Sequence, residues 1–250
     1  MPVLVIPLHG HLAPAAWAAG ERRSATRVGY IQSAGGALPG SLSRDVAELR
    51  GRGLLARHVT AAPAFGGEAE ALSVAGALDA AARRLGWEAA IVGPGPGILG
   101  SGTRLGHGGI AAVDSAHAAL ALGLSTLVAP RLSSADPRPE HRGLSHHTAT
   151  VLELLLAPVR VPVPEVELEG WPLADGEAPE GGSRQATLDA LIEACEDRHD
   201  LAVEPVDLAG YAASGLPTRT MGRGLAEDPL FFAAPLAAGG ALASLVDGRE

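Results

Sequence analysis

The segment PVLVIPLHGHLAPAAWAAG, residues 2–20, decides the fold class. It begins with an aliphatic run, Val3–Leu8, of the length of a buried strand, and it ends in an Ala-rich stretch, Pro14–Ala19, that is typical of a helix. The polar sequence His-Gly-His, at positions 9–11, lies between the two. Because a basic leader region is lacking and prolines interrupt the apolar run, we interpret the segment as a strand, a turn and a helix, and not as an export signal.

The same alternation continues along the chain. Short aliphatic runs bounded by Gly and Pro precede longer Ala- and Leu-rich stretches, as in βαβ units with helices on both faces of a parallel sheet. We predict strands at Val3–Leu8, Arg27–Gln32, Ala56–Ala61, Ala89–Val92, Thr126–Leu132 and Leu201–Val206. We predict helices at Pro14–Ala19, Ser41–Arg50, Glu68–Leu85, Gly109–Leu122, Thr148–Leu156, Ala186–Arg198 and Pro229–Val246. The predicted fold class is therefore α/β, a Rossmann-like three-layer sandwich with a largely parallel sheet.

The 250 residues are predicted to form a single α/β domain, residues 1–250. Val159–Val163 fits either a strand or an extended linker, and residues 162–184, rich in Pro, Glu and Gly, indicate a surface excursion. The stretch Pro229–Val246 is apolar and barely long enough to span a membrane. Asp228 before Pro229 predicts a helix N-cap, so we interpret this stretch as a buried helix.

The charge of the chain restricts the kinds of partner. A formal net charge of −9 disfavours nucleic acid and membrane surfaces, which are polyanions, but local basic clusters can still bind a small anionic molecule. All 19 basic residues are Arg, which excludes a Schiff-base or P-loop lysine. The single cysteine, Cys195, excludes a disulfide framework and a thiolate metal cluster and fits the reducing cytoplasm. No cofactor is assigned, and a homo-oligomer is left open.

Polar loops follow almost every predicted strand. In an open parallel sheet the carboxyl ends of the strands and the N-termini of the helices share one edge, where ligands bind. We therefore expect five loops to converge on one crevice. They are His9–His11, Ser33–Gly36, Phe65–Glu68, Gly93–Gly109 and Arg131–His147.

The glycine-rich loop GPGPGILGSGTRLGHGG, residues 93–109, contains a literal G-x-G-x-x-G. Pro94 and Pro96 remove backbone donors from the turn, and the acidic residue expected about twenty positions on is missing, so a dinucleotide site is disfavoured. An anion cradle fits better, with positive character from Arg104 and His107. The alternative is a tight turn that needs glycine dihedral angles.

The segment RLSSADPRPEHRGLSHHT, residues 131–148, concentrates Arg, His and Asp. Such a cluster suits acid–base chemistry on an anionic substrate, with His141, His146 or His147 moving protons and Asp136 orienting one of them. A divalent metal is the alternative, with these groups joined by His9 or His11, whose side chains can face one edge of an extended segment. The spacing matches no established zinc motif, and adjacent histidines on a helix point about 100° apart, so we do not expect two of them on one ion.

For two further pairs of residues, His9 with His11 and Arg219 with Arg223, the sequence allows two interpretations. His9 and His11 also fit a capped turn in which one imidazole is hydrogen-bonded to backbone. Near the C-terminus, PTRTMGRGL places Arg219 and Arg223 in a turn ahead of the last helix. We expect them to clamp an anion in the crevice; the alternative is a glycine-bounded loop with solvated arginines.

These motifs, taken in order, resemble a bacterial family catalogued as domain of unknown function 3866, and the resemblance covers nearly the whole chain. The family offers no established reaction. This chain has Ala34 where members often have Asp, which excludes a catalytic carboxylate at that position. The positions that the resemblance marks are Gly95, Gly97, Gly100, Gly102, Thr103 and Arg104; Asp136, His141, Arg142, Gly143, Ser145, His146 and His147; and Thr220, Met221, Gly222, Arg223 and Gly224.

The leading hypothesis is that the chain binds a small anionic metabolite, phosphorylated or not, at the carboxyl edge of the sheet, and that His/Asp acid–base chemistry can act on this ligand. The alternatives are a non-catalytic ligand-sensing or assembly module and a metal-dependent hydrolase. The expected catalytic residues are His141, His146, His147 and Asp136. The expected ligand-binding residues are Gly95, Gly97, Gly100, Gly102, Thr103, Arg104, Arg142, Ser145 and Arg223, with His9, His11 and His107 as secondary candidates.

Overall fold

The computed structural model describes residues 1–24, 26–165, 184–195 and 197–247. In this part of the chain, eight parallel strands form one sheet in the order β10-β9-β6-β1-β5-β2-β3-β4. Their ranges are β1 Val3–Val5, β2 Val28–Ser33, β3 His58–Ala61, β4 Ala69–Ala71, β5 Ala89–Pro94, β6 Thr126–Val128, β9 Arg160–Glu165 and β10 Asp200–Pro205. Two small antiparallel hairpins lie outside this sheet, β7 Leu132–Ser133 with β8 Gly143–Leu144 and β11 Arg219–Thr220 with β12 Arg223–Gly224.

Helices cover both faces of the sheet. They are α1 Leu12–Arg22, α2 Arg44–Gly51, α3 Val74–Arg83, α4 Ala111–Ala121, α5 His146–Leu154, α6 Arg184–Cys195, α7 Leu208–Ala213 and α8 Pro229–Asp247. Helices α1, α2, α7 and α8 pack on one face, and α3 to α6 pack on the other. Successive residues of β1 alternate between the two cores, Leu4 towards the first and Val3 and Val5 towards the second. The predicted α/β three-layer sandwich with a parallel sheet is confirmed.

Several boundaries differ from the sequence prediction. The strand β1 ends at Val5, and His9–His11 form a short 3-10 helix, so the prediction of an extended segment at the two histidines was wrong. The predicted helix Glu68–Leu85 begins at Val74, where the Ser73 hydroxyl accepts a hydrogen bond from the Gly76 N–H at 3.1 Å. The residues before that cap form the edge strand β4, because Ala69–Ala71 pair with β3.

The pairing of strands also decides the structure of two other regions for which we predicted strands or a linker. Most of the ambiguous stretch at residues 159–163 belongs to β9, a strand between β6 and β10. Pro162–Glu165, the first residues of the expected surface excursion, belong to this strand, and residues 166–183 lie outside the described residues. The predicted strand Thr126–Leu132 is divided, because β6 ends at Val128 and Leu132 pairs with Leu144 in the β7–β8 hairpin.

Helix α8 is the apolar element that resembles a membrane span by length and composition. Its window Pro229–Val246 has a mean hydropathy of 1.7, and 89% of this window is buried inside the domain. It packs against α1, β9 and β10. Its apolar surface is therefore that of a core helix. The Asp228 carboxylate that we expected to cap it instead accepts hydrogen bonds from Ser133, Ser134 and Arg223.

Candidate functional site

A cavity of about 280 Å³ opens at the carboxyl ends of β1, β5 and β6. We call it the crevice. Its walls come from residues 7–10 after β1, residues 97–100 and Gly109 after β5, Arg131, Arg138 and His147 after β6, and Thr220 and Met221 of the β11–β12 hairpin. Three of the five polar loops line the crevice, so the expectation that all five converge there was correct only in part. Of the other two, the loop after β2 supports the glycine loop through a bridge between Gly36 and Ile98.

The glycine loop lines the crevice with only part of its length. Gly97 has φ +83°, a left-handed conformation that favours glycine, and Gly97 and Gly100 lie in the crevice wall. Gly95 packs on the buried Gln32 side chain, since a Cβ there would lie 2.1 Å from Gln32 Nε2. Gly100 pairs with His107, so that the intervening residues form an exposed tip. This loop geometry is unlike a strand–turn–helix dinucleotide motif.

Three predicted anion ligands therefore lie away from the crevice wall. Gly102 and Thr103 belong to the exposed tip, where the Thr103 hydroxyl is hydrogen-bonded to Ser101 at 3.0 Å. Arg104 is exposed and pairs with Glu153 of α5. The sequence could not reveal this pairing, because Glu153 lies on a different element.

The segment after β6 forms a buried ion-pair network that we call the arginine cluster, which consists of Arg131, Arg138, Arg223, Asp136 and Asp228. The fully buried Asp136 carboxylate accepts hydrogen bonds from Arg131 and Arg138 at 2.9 to 3.0 Å and from Arg223 at 3.2 Å. Arg223 also donates to Asp228 at 3.0 Å. Within this cluster three guanidinium groups thus meet two carboxylates, an excess of one positive charge that the exposed Glu140 beside Arg138 partly offsets.

Asp136 does not orient a histidine, so that part of the prediction was wrong. Its carboxylate is occupied by guanidinium groups, and a Ser145 hydroxyl contacts His141 instead. Burial alone would raise the pKa of Asp136, but hydrogen bonds and charge from Arg138 and the charge of Arg131 lower it below its usual value. Asp136 therefore stays ionised and holds the arginines in place.

Arg131 and Arg138 are the cationic side chains that reach the crevice wall. The Arg131 side chain is 7% exposed, and its Nε has no hydrogen-bond partner. Burial lowers the pKa of Arg131 to about 10, partly offset by Asp136, so the guanidinium remains charged at neutral pH. Neither arginine was among the predicted ligands, although the position of Arg131 shortly after an apolar strand could have indicated it.

Two other residues that were predicted to bind the anion, Arg142 and Arg223, make hydrogen bonds to the aspartates of the arginine cluster instead. The Arg142 Nε donates to the backbone carbonyl of Asp136 at 2.8 Å, and Arg223 points to Asp136 and Asp228. Neither contributes to the crevice wall, and the predicted anion clamp at Arg223 stays a prediction. The exposed Arg219 donates to the Gly222 carbonyl at 2.9 Å within the hairpin. The β11–β12 hairpin contributes Thr220 and Met221 to the crevice wall.

Four imidazoles gather beside the arginine cluster, and we call them the histidine cluster: His107, His141, His146 and His147. The rings of His107 and His147 stack with centroids 3.5 Å apart and planes 3° apart. The His141 ring lies 4.9 Å from His146 and 4.7 Å from His147. The expectation that His146 and His147 point apart was wrong, because they occupy the first turn of α5 and both rings lie near His141.

The surroundings of the histidine cluster favour the neutral form of its four imidazoles. Burial, with the charges of Arg131 and Arg138, lowers the pKa of His141 to about 4. Burial and the neighbouring histidines lower the pKa of His147 to about 2, and burial likewise lowers the pKa values of His107 and His146. A general acid or base works best with a pKa near the working pH. Neutral imidazoles with such low pKa values are better suited to accept a hydrogen bond or to bind a metal.

The two histidines after β1 have different surroundings. His9 lies in the crevice wall, and its Nε2 is hydrogen-bonded to Ser43 Oγ at 2.8 Å. His11 is fully buried against the edge of Phe231, with ring centroids 5.0 Å apart, and both of its ring nitrogens lack hydrogen-bond partners. The 3-10 geometry turns the two side chains to different environments, so they do not face one edge together.

The sequence model of one family, described as "Protein of unknown function (DUF3866)", matches residues 1–239. The chain belongs to this family. The DUF3866 match covers the glycine loop, the arginine cluster, the histidine cluster and the β11–β12 hairpin, and it confirms the resemblance found in the sequence. The family description assigns no reaction to these residues. No significant match to a curated protein or to a solved structure was found.

Proposed function

We propose that the crevice binds a small anionic molecule that carries a phosphate or carboxylate group. The observation that carries this proposal is the pair of arginines in the crevice wall, Arg131 and Arg138, in a cluster with one positive charge in excess. Guanidinium groups donate charge-assisted hydrogen bonds to such anions, and Arg138 has its Nη1 for this purpose after giving Nε and Nη2 to Asp136. The unpartnered Nε of Arg131 is a buried donor for which an anion oxygen would be a suitable acceptor.

The size of the crevice favours a small ligand. Pockets for drug-sized ligands span about 300 to 1,000 Å³, and the crevice, at about 280 Å³, is just below this range. Gly97 and Gly100 let an anion approach the backbone of the wall closely. A sugar phosphate or a phosphorylated carboxylic acid fits this volume better than a dinucleotide does. A cytoplasmic location, which the single cysteine favours, is part of the same proposal.

Calorimetric titration of chelator-treated protein with inorganic phosphate, phosphate monoesters and small carboxylates tests this proposal. We expect saturable binding to one site per chain. The variant Arg138→Gln should bind the same anion about 10- to 100-fold more weakly, because a charged hydrogen-bonding group contributes about 1.5 to 3 kcal/mol. Arg104→Gln is the matched control, because Arg104 is exposed and pairs with Glu153 away from the crevice.

Two results would contradict the proposal. One is the absence of binding by every anion in the series. The other is an equal loss of affinity in Arg138→Gln and Arg104→Gln, which would place the anion on the general surface. Binding without turnover of any monoester would favour a ligand-sensing module over an enzyme.

A further inference from the structure

Three histidines of the histidine cluster converge on one point. Their ligand atoms, one from each of His141, His146 and His147, all lie within 4.8 Å of one another. We propose that these three imidazoles bind one divalent transition-metal ion, with Zn²⁺ as the best fit, and leave a further coordination position open towards the crevice. This inference does not depend on the anion site, because its ligands are the three imidazoles and not Arg131 or Arg138.

The geometry requires only a small closure around the ion. Zn–N bonds of about 2.0 to 2.1 Å in a tetrahedral site place the ligand nitrogens about 3.3 Å apart. The largest separation in the cluster therefore has to shrink by at most about 1.5 Å. Rotation of the partly exposed His146 and His147 side chains about their χ angles can supply this change while α5 stays in place.

The supporting contacts are those of a metal site. The His141 Nδ1 is 2.7 Å from Ser145 Oγ, so that an Nδ1–H donated to Ser145 leaves Nε2 with its lone pair for the ion. Ser145 Oγ also accepts from the backbone N–H of His147 at 3.3 Å as the N-cap of α5, and so it fixes the start of the helix turn that carries His146 and His147. The ring of His107 stacks on the ring of His147, with centroids 3.5 Å apart.

The chemistry of the donors decides the class of ion. Three imidazoles without a thiolate suit Zn²⁺ and its neighbours and not Ca²⁺ or Mg²⁺, which prefer oxygen ligands. The charges of Arg131 and Arg138 disfavour a cation at this point, as they disfavour protonated His141, and Asp136, 3.0 Å from Arg131, offsets part of this effect. Three protein ligands are also the usual number in catalytic zinc sites, where the fourth position holds water or substrate.

The open position gives this site a connection to the crevice. His147 belongs both to the metal group and to the crevice wall, where Arg131 and Arg138 also lie. An ion held there can polarise an oxygen of a bound anion or lower the pKa of a bound water. This arrangement is the one that favours the metal-dependent hydrolase among the alternative functions.

Titration of chelator-treated protein with Co²⁺ and Zn²⁺ tests the proposal. We expect one ion per chain and the intense visible absorption of tetrahedral Co²⁺, displaced by Zn²⁺. His146→Gln and His147→Gln should each weaken Zn²⁺ binding by at least about 10-fold, and Ser145→Ala by about 10- to 100-fold. His117→Gln is the control, because His117 lies on α4, outside the metal group, and its Nε2 accepts a hydrogen bond from the Leu156 N–H.

The variants also separate this proposal from the anion site. Arg138→Gln should retain full Co²⁺ binding even where it loses phosphate, and His146→Gln should retain phosphate binding in the presence of chelator. Thermal melts of each variant establish that it is folded. Absence of stoichiometric uptake, or Co²⁺ spectra and affinity unchanged in the folded His146→Gln/His147→Gln double variant, would overturn the metal site.

Discussion

His11 makes the stability of the fold dependent on pH in a way that a single substitution can isolate. The side chain is 0% exposed and packs against Phe231, and neither ring nitrogen has a partner that could accept or share a proton. Burial, assisted by the charge of Arg131, lowers the pKa of His11 from 6.5 to about 3. Folded His11 therefore stays neutral at pH values where the unfolded chain is already protonated.

The size of the effect follows from this difference in pKa. Between the two pKa values the unfolded state binds one more proton than the folded state, so the free energy of unfolding falls as the pH falls below 6.5. Each pH unit in this window is worth about 1.4 kcal/mol. At about pH 5, some 1.5 units below the unfolded pKa, His11 alone should lower the free energy of unfolding by about 2 kcal/mol relative to about pH 8.

Urea unfolding at about pH 8 and about pH 5, with chelator present, measures this effect in the wild type and in His11→Phe. Other buried histidines, such as His58 with a pKa lowered to about 4 mainly by burial, contribute equally to both proteins and cancel in the comparison. We expect the loss of stability on acidification to be about 2 kcal/mol smaller in His11→Phe. His117→Phe serves as the control. An identical pH dependence in His11→Phe and wild type would refute the reasoning.

Two further substitutions test the parts of the fold that hold the crevice. Asp136→Asn should lower the free energy of unfolding by about 3 to 5 kcal/mol, because it leaves the charge of the buried Arg131 uncompensated; a loss below about 1 kcal/mol in urea unfolding would contradict this role. Gly35→Ala should cost more stability than Gly222→Ala. Both glycines have positive φ, but a Cβ at Gly35 would lie 2.3 Å from the Gly108 carbonyl oxygen, whereas Gly222 has nothing within 4 Å. Equal melting temperatures of the two variants would contradict a steric origin.

Local patterns predicted most of the secondary structure because each one records the environment of a single segment. Continuous aliphatic runs such as β5 predict strands buried on both faces, and Ala-rich stretches such as α4 predict covering helices. The same patterns failed where pairing decided the outcome. The polar edge strand β4 has no such run, and the 3-10 turn at His9–His11 places His11 against Phe231, a residue near the other end of the chain.

The candidate site, like the secondary structure, was predicted from the sequence only in part. The sequence alone determined that Gly, Arg, His and Asp collect in the loops after the strands, because parallel strands bring those loops to one edge. It could not determine which arginines reach the crevice, since Arg104 is drawn away by Glu153 and Arg223 by Asp136 and Asp228.

The sequence by itself thus determined the fold class and the edge of the sheet at which polar residues gather. Only the tertiary structure decided the order of the strands, the inward position of Arg131 and the meeting of His141, His146 and His147. The physical reason is that burial and periodicity act within a segment. Ion pairs, hydrogen bonds and metal geometry instead depend on distances between side chains, and these distances exist only once the segments have packed together.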